Sequence, residues 1–201
     1  MKYLKRTLIF AFFLFIIFLT YIEFGGIYIL SHDDRRVITF KIRSTHKLPQ
    51  NFTTFYSVIY KNSLTKDSWN YNLKVLLGQN KMLECPCREM GFRIFPSLDI
   101  KNKNSLDYFL VTRYLEQNYS QTDCLNFNFS NFDFLENRKG IDEVSKSLFD
   151  KDIKDLTSLE IAEVIALYEN PVKNNRIRYP ERALARTKYF HELYLKNLNK
   201  K

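Results

Sequence analysis

The chain of 201 residues is long enough for one domain with an appendage, and its formal net charge is +9. Lysines are spread along the whole chain, so a solubilising surface is the favoured explanation of this charge; the alternative is attraction to anionic lipid headgroups or to a pyrophosphate-linked lipid. The N-terminus predicts export through a membrane, where a basic chain seldom meets nucleic acid, so no nucleic-acid partner is expected.

The N-terminus has the composition of a membrane anchor. The basic start Met1-Lys-Tyr-Leu-Lys-Arg6 precedes a nearly uninterrupted apolar run over residues 8–21. Glu23 interrupts the run, and residues 24–30 extend it past the length that a bilayer requires. A cleaved signal peptide needs small residues at its cleavage site, and only Gly25-Gly26 offers them, so an uncleaved anchor is favoured.

The charges around this segment predict its orientation. Basic residues before the span predict a single-pass protein of the cell membrane with a cytoplasmic N-terminus and an extracytoplasmic body. Arg35 and Arg36, which follow the span, weaken this bias without reversing it. The predicted organisation is residues 1–30 for the cytoplasmic start and transmembrane anchor, 31–47 for a neck, and 48–201 for a helical domain.

The next part of the chain alternates between helical patterns and polar segments. In the neck, the alternating residues 37–42 predict a short edge strand. Leu48-Pro49 then opens a helical pattern, and further helical patterns cover residues 69–78 and 105–117. Ser120-x-x-Asp123 caps another helix. The apolar side of the first of these helices consists of Phe52, Phe55, Tyr56 and Ile59.

The three cysteines, Cys85, Cys87 and Cys124, do not make a disulfide framework. Met82 and Met90 flank the first two in a symmetric run of soft sulfur ligands that suits Cu(I). The favoured alternative is a tight turn in which the cysteines are packed or paired by chance. A zinc site would need a fourth ligand from a histidine, and no histidine has an informative spacing. We therefore predict no metal and no cofactor.

From residue 140 onward the helical signals are strongest. Gly140 is expected to form a turn that feeds a short amphipathic helix. Thr157-Ser-Leu-Glu160 is a capping box, and the helix that it opens, residues 159–168, is apolar nearly all round, so it belongs in the middle of a core. Asn170-Pro171 stops this helix. The side chains expected to be buried are Leu159, Ala162, Val164, Ile165 and Leu167.

A polar loop over residues 172–179 leads to the last helix. Pro180 lies where a helix tolerates proline best, in the first turn. One face of this helix carries Ala183, Thr187, Phe190, Tyr194 and Leu198. Basic residues cluster around the loop and the helix start, namely Lys173, Arg176, Arg178, Arg182 and Arg186.

These tail elements occur in a specific order and spacing. In chain order they are Gly140-Ile141, Ser145, Leu148-Phe149, Lys151, Leu156-Thr157, Glu160, Ala162, Asn170-Pro171 and Pro180-Glu-Arg-Ala183-Leu-Ala-Arg186. This order resembles the C-terminal half of the peptidoglycan glycosyltransferase domain, glycosyltransferase family 51, which is the transglycosylase module of bifunctional penicillin-binding proteins. The resemblance implies a mainly α, lysozyme-like helical domain behind a single N-terminal transmembrane helix.

The resemblance also implies where the chemistry would lie. The family joins lipid-linked sugars with a glutamate as general base and with positive charge or a metal near the departing pyrophosphate. Counted from Leu48-Pro49, the position of that glutamate falls on Tyr60, a phenol whose reference pKa of ~10 makes it a poor proton acceptor. The best match to the family's second motif is Ser68-Trp-Asn-Tyr-Asn72, which lacks the pair of glutamines of that motif.

The two later motifs are also changed. The family's basic pair and second glutamate fall on Asn104, Ser105 and Tyr108. The motif Glu-x-Tyr-Leu-Asn falls on Asn126, Asn128, Phe129 and Ser130, so its carboxylate is missing. Residues that build the fold persist, while residues that move protons or hold pyrophosphate are replaced. We therefore predict no catalytic residue and expect substrate contacts at Tyr60, Asn126 and Ser130.

Several functions remain open from the sequence. The favoured prediction is a pseudoenzyme of cell-wall biogenesis that binds a lipid II-like lipid-linked glycan or acts as a scaffold for a cell-wall synthase at the membrane. The enzymatic alternative is polymerisation of lipid II, with a different acid as the catalytic group. A third alternative is a tethered helical domain that packs only against another protein. The acids that the enzymatic alternative could use are Asp67, Glu84, Asp107 and Glu116.

Overall fold

The computed structural model describes residues 2–78 and 84–199. Over these ranges the chain is built from α-helices and two short 3-10 helices, Phe95–Ser97 and Ile153–Asp155, which confirms the mainly α fold. The α-helices are, in order, α1 (Lys2–Phe24), α2 (Gly26–Ile29), α3 (His32–Arg43), α4 (Gln50–Ile59), α5 (Ser68–Leu76), α6 (Pro86–Ile94), α7 (Ser105–Asn118), α8 (Gln121–Asn131), α9 (Ile141–Phe149), α10 (Ser158–Glu169) and α11 (Pro180–Leu198).

The first helix has the properties of a membrane span. Its segment Tyr3–Phe24 contains 22 residues with a mean hydropathy of 2.3, and only 6% of this stretch is buried against the rest of the protein. Such a helix is about 30 Å long, which matches the apolar thickness of a bilayer. α1 is therefore long and apolar enough to cross a membrane.

The edge strand predicted over residues 37–42 is wrong, because this stretch lies inside α3. Ser31 and Asp34 form a capping box: the Asp34 amide donates to the Ser31 hydroxyl at 3.0 Å, and the Ser31 amide donates to the Asp34 carboxylate at 3.2 Å. Ile38 and Ile42, four residues apart, are then buried on one side of the helix. The cap and this helical spacing override the short alternation in the sequence.

The helical body packs around two groups of buried side chains. The larger group joins α4, α8, α9, α10 and α11, and in it the rings of Phe52 and Phe129 meet edge to face at 4.9 Å. The smaller group joins α3, α6, α7 and α8. Leu125 of α8 belongs to the larger group and Phe127 to the smaller group. α8 therefore forms the wall between them.

α10 lies in the larger group and begins with the predicted capping box of Thr157 and Glu160. The expectation for Leu159 is wrong, since its side chain is 47% exposed. Leu159 lies one turn before Glu163, on the side of the helix that carries the glutamates and is the more exposed. The predicted buried side chains that the structure confirms are Ala162, Val164, Ile165 and Leu167.

The elements on either side of α10 begin as the sequence predicts. Gly140 has a φ of +85°, and a Cβ atom there would lie 2.6 Å from the Ser130 carbonyl oxygen, so only glycine fits this turn. α11 begins at Pro180 and buries Ala183 and Phe190 against α10 and α4. Leu198, at the far end of its predicted face, is partly exposed.

A disulfide bond joins Cys87 of α6 to Cys124 of α8. The sequence did not predict this bond, because an odd number of cysteines leaves the pairing open. Cys85 is a free, buried thiol. Because Cys87 is in a disulfide bond, it has no thiolate that could bind Cu(I). Met82, another of the sulfur ligands considered for Cu(I), lies outside the described residues. Among the residues that the structure describes, no three histidine, cysteine, aspartate or glutamate side chains are grouped so as to hold a metal ion.

Replacing Ile165 with alanine removes a fully buried side chain from α10. We expect the free energy of unfolding to fall by about 2–5 kcal/mol because a cavity remains, measured by urea denaturation of the protein in detergent micelles. Leu159→Ala on the same helix is the control and should cost less than about 1 kcal/mol, because this side chain is half exposed. Equal losses for the two variants would contradict the assignment of α10 as the core helix.

Candidate functional site

Tyr60 lies at the C-terminal end of α4 and is almost completely buried. The centre of its ring lies 4.8 Å from that of Tyr56 and 6.2 Å from that of Phe190. Burial raises the pKa of the Tyr60 phenol well above its ordinary value, and the charges of Glu84 and Glu169 raise it further. The hydroxyl therefore stays protonated at neutral pH and cannot act as a general base.

Glu84 is a half-buried carboxylate two residues before α6. Burial raises the pKa of Glu84 to about 8, and the like charges of Glu89 and Glu169 add to this increase, whereas Arg88 opposes it. A carboxyl group with such a pKa binds and releases a proton near neutral pH. That property is the one that a general acid or base requires.

The other two glutamates each have an arginine partner. Arg93 binds Glu89 at 2.7 Å, and both Nε and Nη2 of Arg186 donate to the Glu169 carboxylate. Within the described ranges, Glu84 makes no ion pair. Glu84 is therefore the one of these three glutamates without an ion-pair partner among those residues. We call these residues the Glu84 cluster, which consists of Glu84, Glu89, Glu169, Arg93 and Arg186.

A pocket of about 460 Å³ adjoins this cluster through Glu169 and Arg186. It lies between the C-terminal end of α10 and the first turns of α11. The loop below it is held by buried Asn174, whose amide donates to the Ala166 carbonyl at 2.7 Å. Two exposed cations, Lys173 and Arg182, line the pocket, and no ion pair in the described part of the chain involves either of them. We call it the basic pocket, and its free charges suit a phosphate group.

The structure divides the basic cluster that the sequence predicts. Lys173, Arg182 and Arg186 line the basic pocket. Arg176 instead binds Glu163 at 2.8 Å, and Arg178 lies 3.5 Å from Glu136. These last two arginines brace neighbouring helices and loops. Of the three cations that line the pocket, Arg186 binds Glu169, so Lys173 and Arg182 remain for a ligand.

Asn126 and Ser130, the other predicted contact positions, lie on α8 away from solvent. The Asn126 side-chain oxygen accepts a hydrogen bond from the Leu48 amide at 3.0 Å and ties the start of α4 to α8. The Ser130 hydroxyl is buried and has no hydrogen-bond partner among the residues that the structure describes. Among the described residues, no hydrogen bond therefore links either of these side chains to Tyr60.

The structure separates the four acids that the enzymatic alternative could use. Asp107 forms a capping box with Asn104 at the start of α7. Glu116 accepts from the amide and the hydroxyl of Ser68 at 2.7 and 2.6 Å, and together with Asp67 it binds an arginine. Glu84 is the one of the four without such a structural partner among the described residues.

That arginine is Arg113, in the middle of α7. Its guanidinium binds Glu116 at 2.5 Å, Asp67 at 3.1 Å and also Glu23 at the end of α1. The Arg113 and Glu116 side chains are almost completely buried, so their charges compensate each other away from water. We call these four residues the Arg113 network. It fixes the end of α1 to the helical body.

Close backbone packing accompanies this network. A Cβ atom on Gly26, in α2, would lie 2.4 Å from the Leu110 carbonyl oxygen and 2.7 Å from the Tyr114 Cβ atom. Glycine therefore lets α2 approach α7. Sequence reasoning considered this glycine only as part of a cleavage site and missed the network. The signal that it could have used is the lone Glu23 in an apolar span together with an arginine in the apolar stretch of α7.

Comparison with known proteins finds a family similarity in the second half of the chain. Residues 98–194 match the family model described as transglycosylase. The match runs from α7 into α11, so it includes the basic pocket and Glu169, while Tyr60 and Glu84 lie outside it. No curated protein matches the chain.

Replacing Arg113 with methionine leaves the carboxylates of its network, including buried Glu116, without a counter-charge. We expect the free energy of unfolding to fall by about 3–5 kcal/mol, measured by urea denaturation in micelles. Arg178→Met removes a half-exposed arginine of a looser ion pair and should cost about 1 kcal/mol or less. If the Arg113 variant unfolded at the same urea concentration as the wild-type protein, the network would not stabilise the fold.

Glu84 should make stability depend on pH. Its pKa is raised from 4.5 to about 8 in the folded protein, so over this interval the folded state binds more protons than the unfolded state. Stability should therefore fall as the pH rises from about 4.5 to about 8. Glu84→Gln removes this part of the pH dependence, which urea denaturation across the interval measures.

The control for that series is Glu181→Gln, which makes the same change of charge at an exposed position of α11. This variant should keep the wild-type slope of stability against pH. Parallel profiles for wild type and Glu84→Gln would mean that the Glu84 carboxyl group is not perturbed by its surroundings.

Proposed function

We propose, from the match of residues 98–194 to the transglycosylase family, that the chain is a membrane-anchored protein of cell-wall biogenesis that binds lipid-linked glycan without polymerising it. The observation that carries the proposal is the state of Tyr60. The position predicted from the sequence for the family's general base falls on this residue, which is a buried, protonated phenol. A phenol with a raised pKa cannot activate a sugar hydroxyl.

The basic pocket supports binding of the lipid-linked substrate class. Such substrates carry a pyrophosphate, whose oxygens accept charge-assisted hydrogen bonds from lysine and arginine. Lys173 and Arg182 are free to donate them, while Arg186 is held in position by Glu169. Arg186 links the pocket to the region of Tyr60, because its guanidinium lies over the ring of Phe190, whose centre is 6.2 Å from that of Tyr60. A pyrophosphate in the pocket would bring the attached sugar towards that region. Under this proposal Tyr60 contacts the glycan, and Asn126 and Ser130 remain predicted contact positions.

Two features support a body outside the cytoplasm. α1 is long and apolar enough to span the membrane, and the basic residues before it favour a cytoplasmic N-terminus. The Cys87–Cys124 disulfide bond forms and persists in oxidising compartments, which lie outside the cytoplasm in most cells. In this location the domain would meet lipid-linked glycan and the synthases that use it, which are its proposed partners.

Residual glycosyl transfer is the second candidate function. The observation that favours it is the raised pKa of the Glu84 carboxyl group. Its pKa of about 8 and its position beside Tyr60 would allow it to take the proton of an attacking hydroxyl. Because Glu84 lies outside the matched residues, the family match does not support this role directly.

A polymerisation assay on the full-length protein in detergent, with lipid II as substrate, separates the two candidates. We expect no glycan polymer from the wild-type protein, because Tyr60 cannot act as a base. If polymer forms and Glu84→Gln abolishes it, the proposal of a binding protein is replaced by that of an enzyme with Glu84 as its base. The control is Glu181→Gln, which should leave any polymerisation unchanged.

Binding of fluorescent lipid II to the same protein tests the basic pocket. Replacing both Lys173 and Arg182 with glutamine should weaken binding at least tenfold, or about 1.4 kcal/mol, because two charge-assisted contacts to pyrophosphate are lost. Lys188→Gln combined with Lys196→Gln removes the same charge from exposed positions of α11 outside the pocket. If the two double variants bind equally well, the pocket does not hold the pyrophosphate.

A further inference from the structure

α3 presents one side that no described part of the protein covers. Phe40 on this side is 72% exposed and Val37 is nearly half exposed, although both side chains are large and apolar. Ile38 and Ile42, on another side of the helix, are buried against the helical body. Single exposed apolar side chains are ordinary on protein surfaces, so the surroundings of these two residues decide their role.

Cationic side chains surround the two apolar ones. Among the described residues, none of the four cations on α3 takes part in an ion pair, and two of the four are exposed. The acids on the helix do little to offset them, because Asp34 is buried and accepts from the Asp99 amide at 3.1 Å, which leaves Asp33. The four cations are Arg35, Arg36, Lys41 and Arg43. With Phe40 they line an open groove of about 790 Å³.

The position of this groove relates it to the membrane. Tyr114 of α7 lines the groove. The same tyrosine packs against Gly26, which follows the end of α1 by two residues. One side chain thus contacts both the segment that leaves the proposed span and the groove on α3. Thr39 and Tyr119, whose hydroxyls lie 2.7 Å apart, hold α3 in this place against the end of α7.

We propose that α3 lies in the headgroup layer of the membrane that α1 crosses, with Phe40 and Val37 inserted beside the lipid and the arginines binding anionic lipid headgroups. This inference rests on the proposed crossing of the membrane by α1. A helix with basic side chains and exposed aromatic or aliphatic side chains has the composition that binds at such an interface. Each cationic side chain near an anionic membrane surface strengthens binding about fivefold.

The observations favour a lipid over a protein as the occupant of the groove. The mixture of unpaired cations with exposed apolar groups complements a surface that has phosphates above hydrocarbon chains. The short connection from α1 to α3 also keeps the groove near that surface. Positive charge after the span opposes the orientation bias of the N-terminus. Binding of lipid headgroups by these cations gives a reason for that charge.

Photo-crosslinking of the full-length protein in nanodiscs tests this placement. A benzophenone amino acid is introduced at Phe40, and the nanodiscs contain either phosphatidylcholine alone or phosphatidylcholine mixed equally with phosphatidylglycerol. We expect lipid crosslinks at this position in both, with more phosphatidylglycerol than phosphatidylcholine captured from the mixture. Arg36→Gln combined with Arg43→Gln should lower that preference by about fivefold or more.

Labels at two further positions distinguish a wrong placement of α3 from a wrong assignment of α1 as the membrane anchor. A benzophenone at Phe13 of α1 should crosslink to lipid if α1 spans the membrane, and one at exposed Leu195 of α11, outside the basic pocket, reports the background of the body. Lipid crosslinks at Phe13 with only background at Phe40 would overturn the placement of α3 and leave the anchor standing. Background at both positions would overturn the anchor as well.

The same crosslinking experiment tests what binds in the groove. Equal capture of the two lipids from the mixture, unchanged in the double arginine variant, would overturn headgroup binding. Crosslinks from Phe40 to a second copy of the chain, in place of lipid, would show that the groove is a protein interface. Circular dichroism and urea denaturation of the double variant establish that a lost preference does not reflect a lost fold.

Discussion

Buried charge compensation at Arg113 holds together the part of this protein that adjoins the end of α1. The Arg113 guanidinium lies among the carboxylates of Glu23, Asp67 and Glu116, which come from α1, from the residue before α5 and from α7 itself. Withdrawing such charges from water is costly unless each has its partner, so the network forms in one arrangement of these segments. Because Glu23 ends the apolar helix, this arrangement also sets where the helical body lies relative to α1.

The candidate site depends on a second arrangement of charge, around Glu84 and Tyr60. Glu89 and Glu169 have arginine partners, whereas Glu84 has none among the described residues and keeps a raised pKa. Tyr60 lies next to these acids but is buried and protonated. The segment that matches the transglycosylase family contributes the basic pocket, which adjoins the Glu84 cluster through Glu169 and Arg186.

The sequence predicted most elements whose signals are local. Capping boxes at Ser120 and Thr157, the turn at Gly140 and the proline start of α11 all appear where the pattern placed them. Errors arose where a local pattern competed with packing. Residues 37–42 alternate like a strand, yet a cap and two buried isoleucines make them helical. Leu159 belongs to an apolar helix, yet the side of that helix with the glutamates faces outwards.

Residue order alone determined the mainly α fold, the apolar first helix and the resemblance of the tail to a transglycosylase, because caps, proline and hydrophobic periodicity act between near neighbours in the chain. Tertiary structure alone decided the pairing of Cys87 with Cys124, the Arg113 network and the distinction of Glu84 from Asp67, Asp107 and Glu116. Those properties depend on which distant side chains share a buried volume. Burial and neighbouring charge, which set the pKa of a carboxyl group, exist only once the chain has folded.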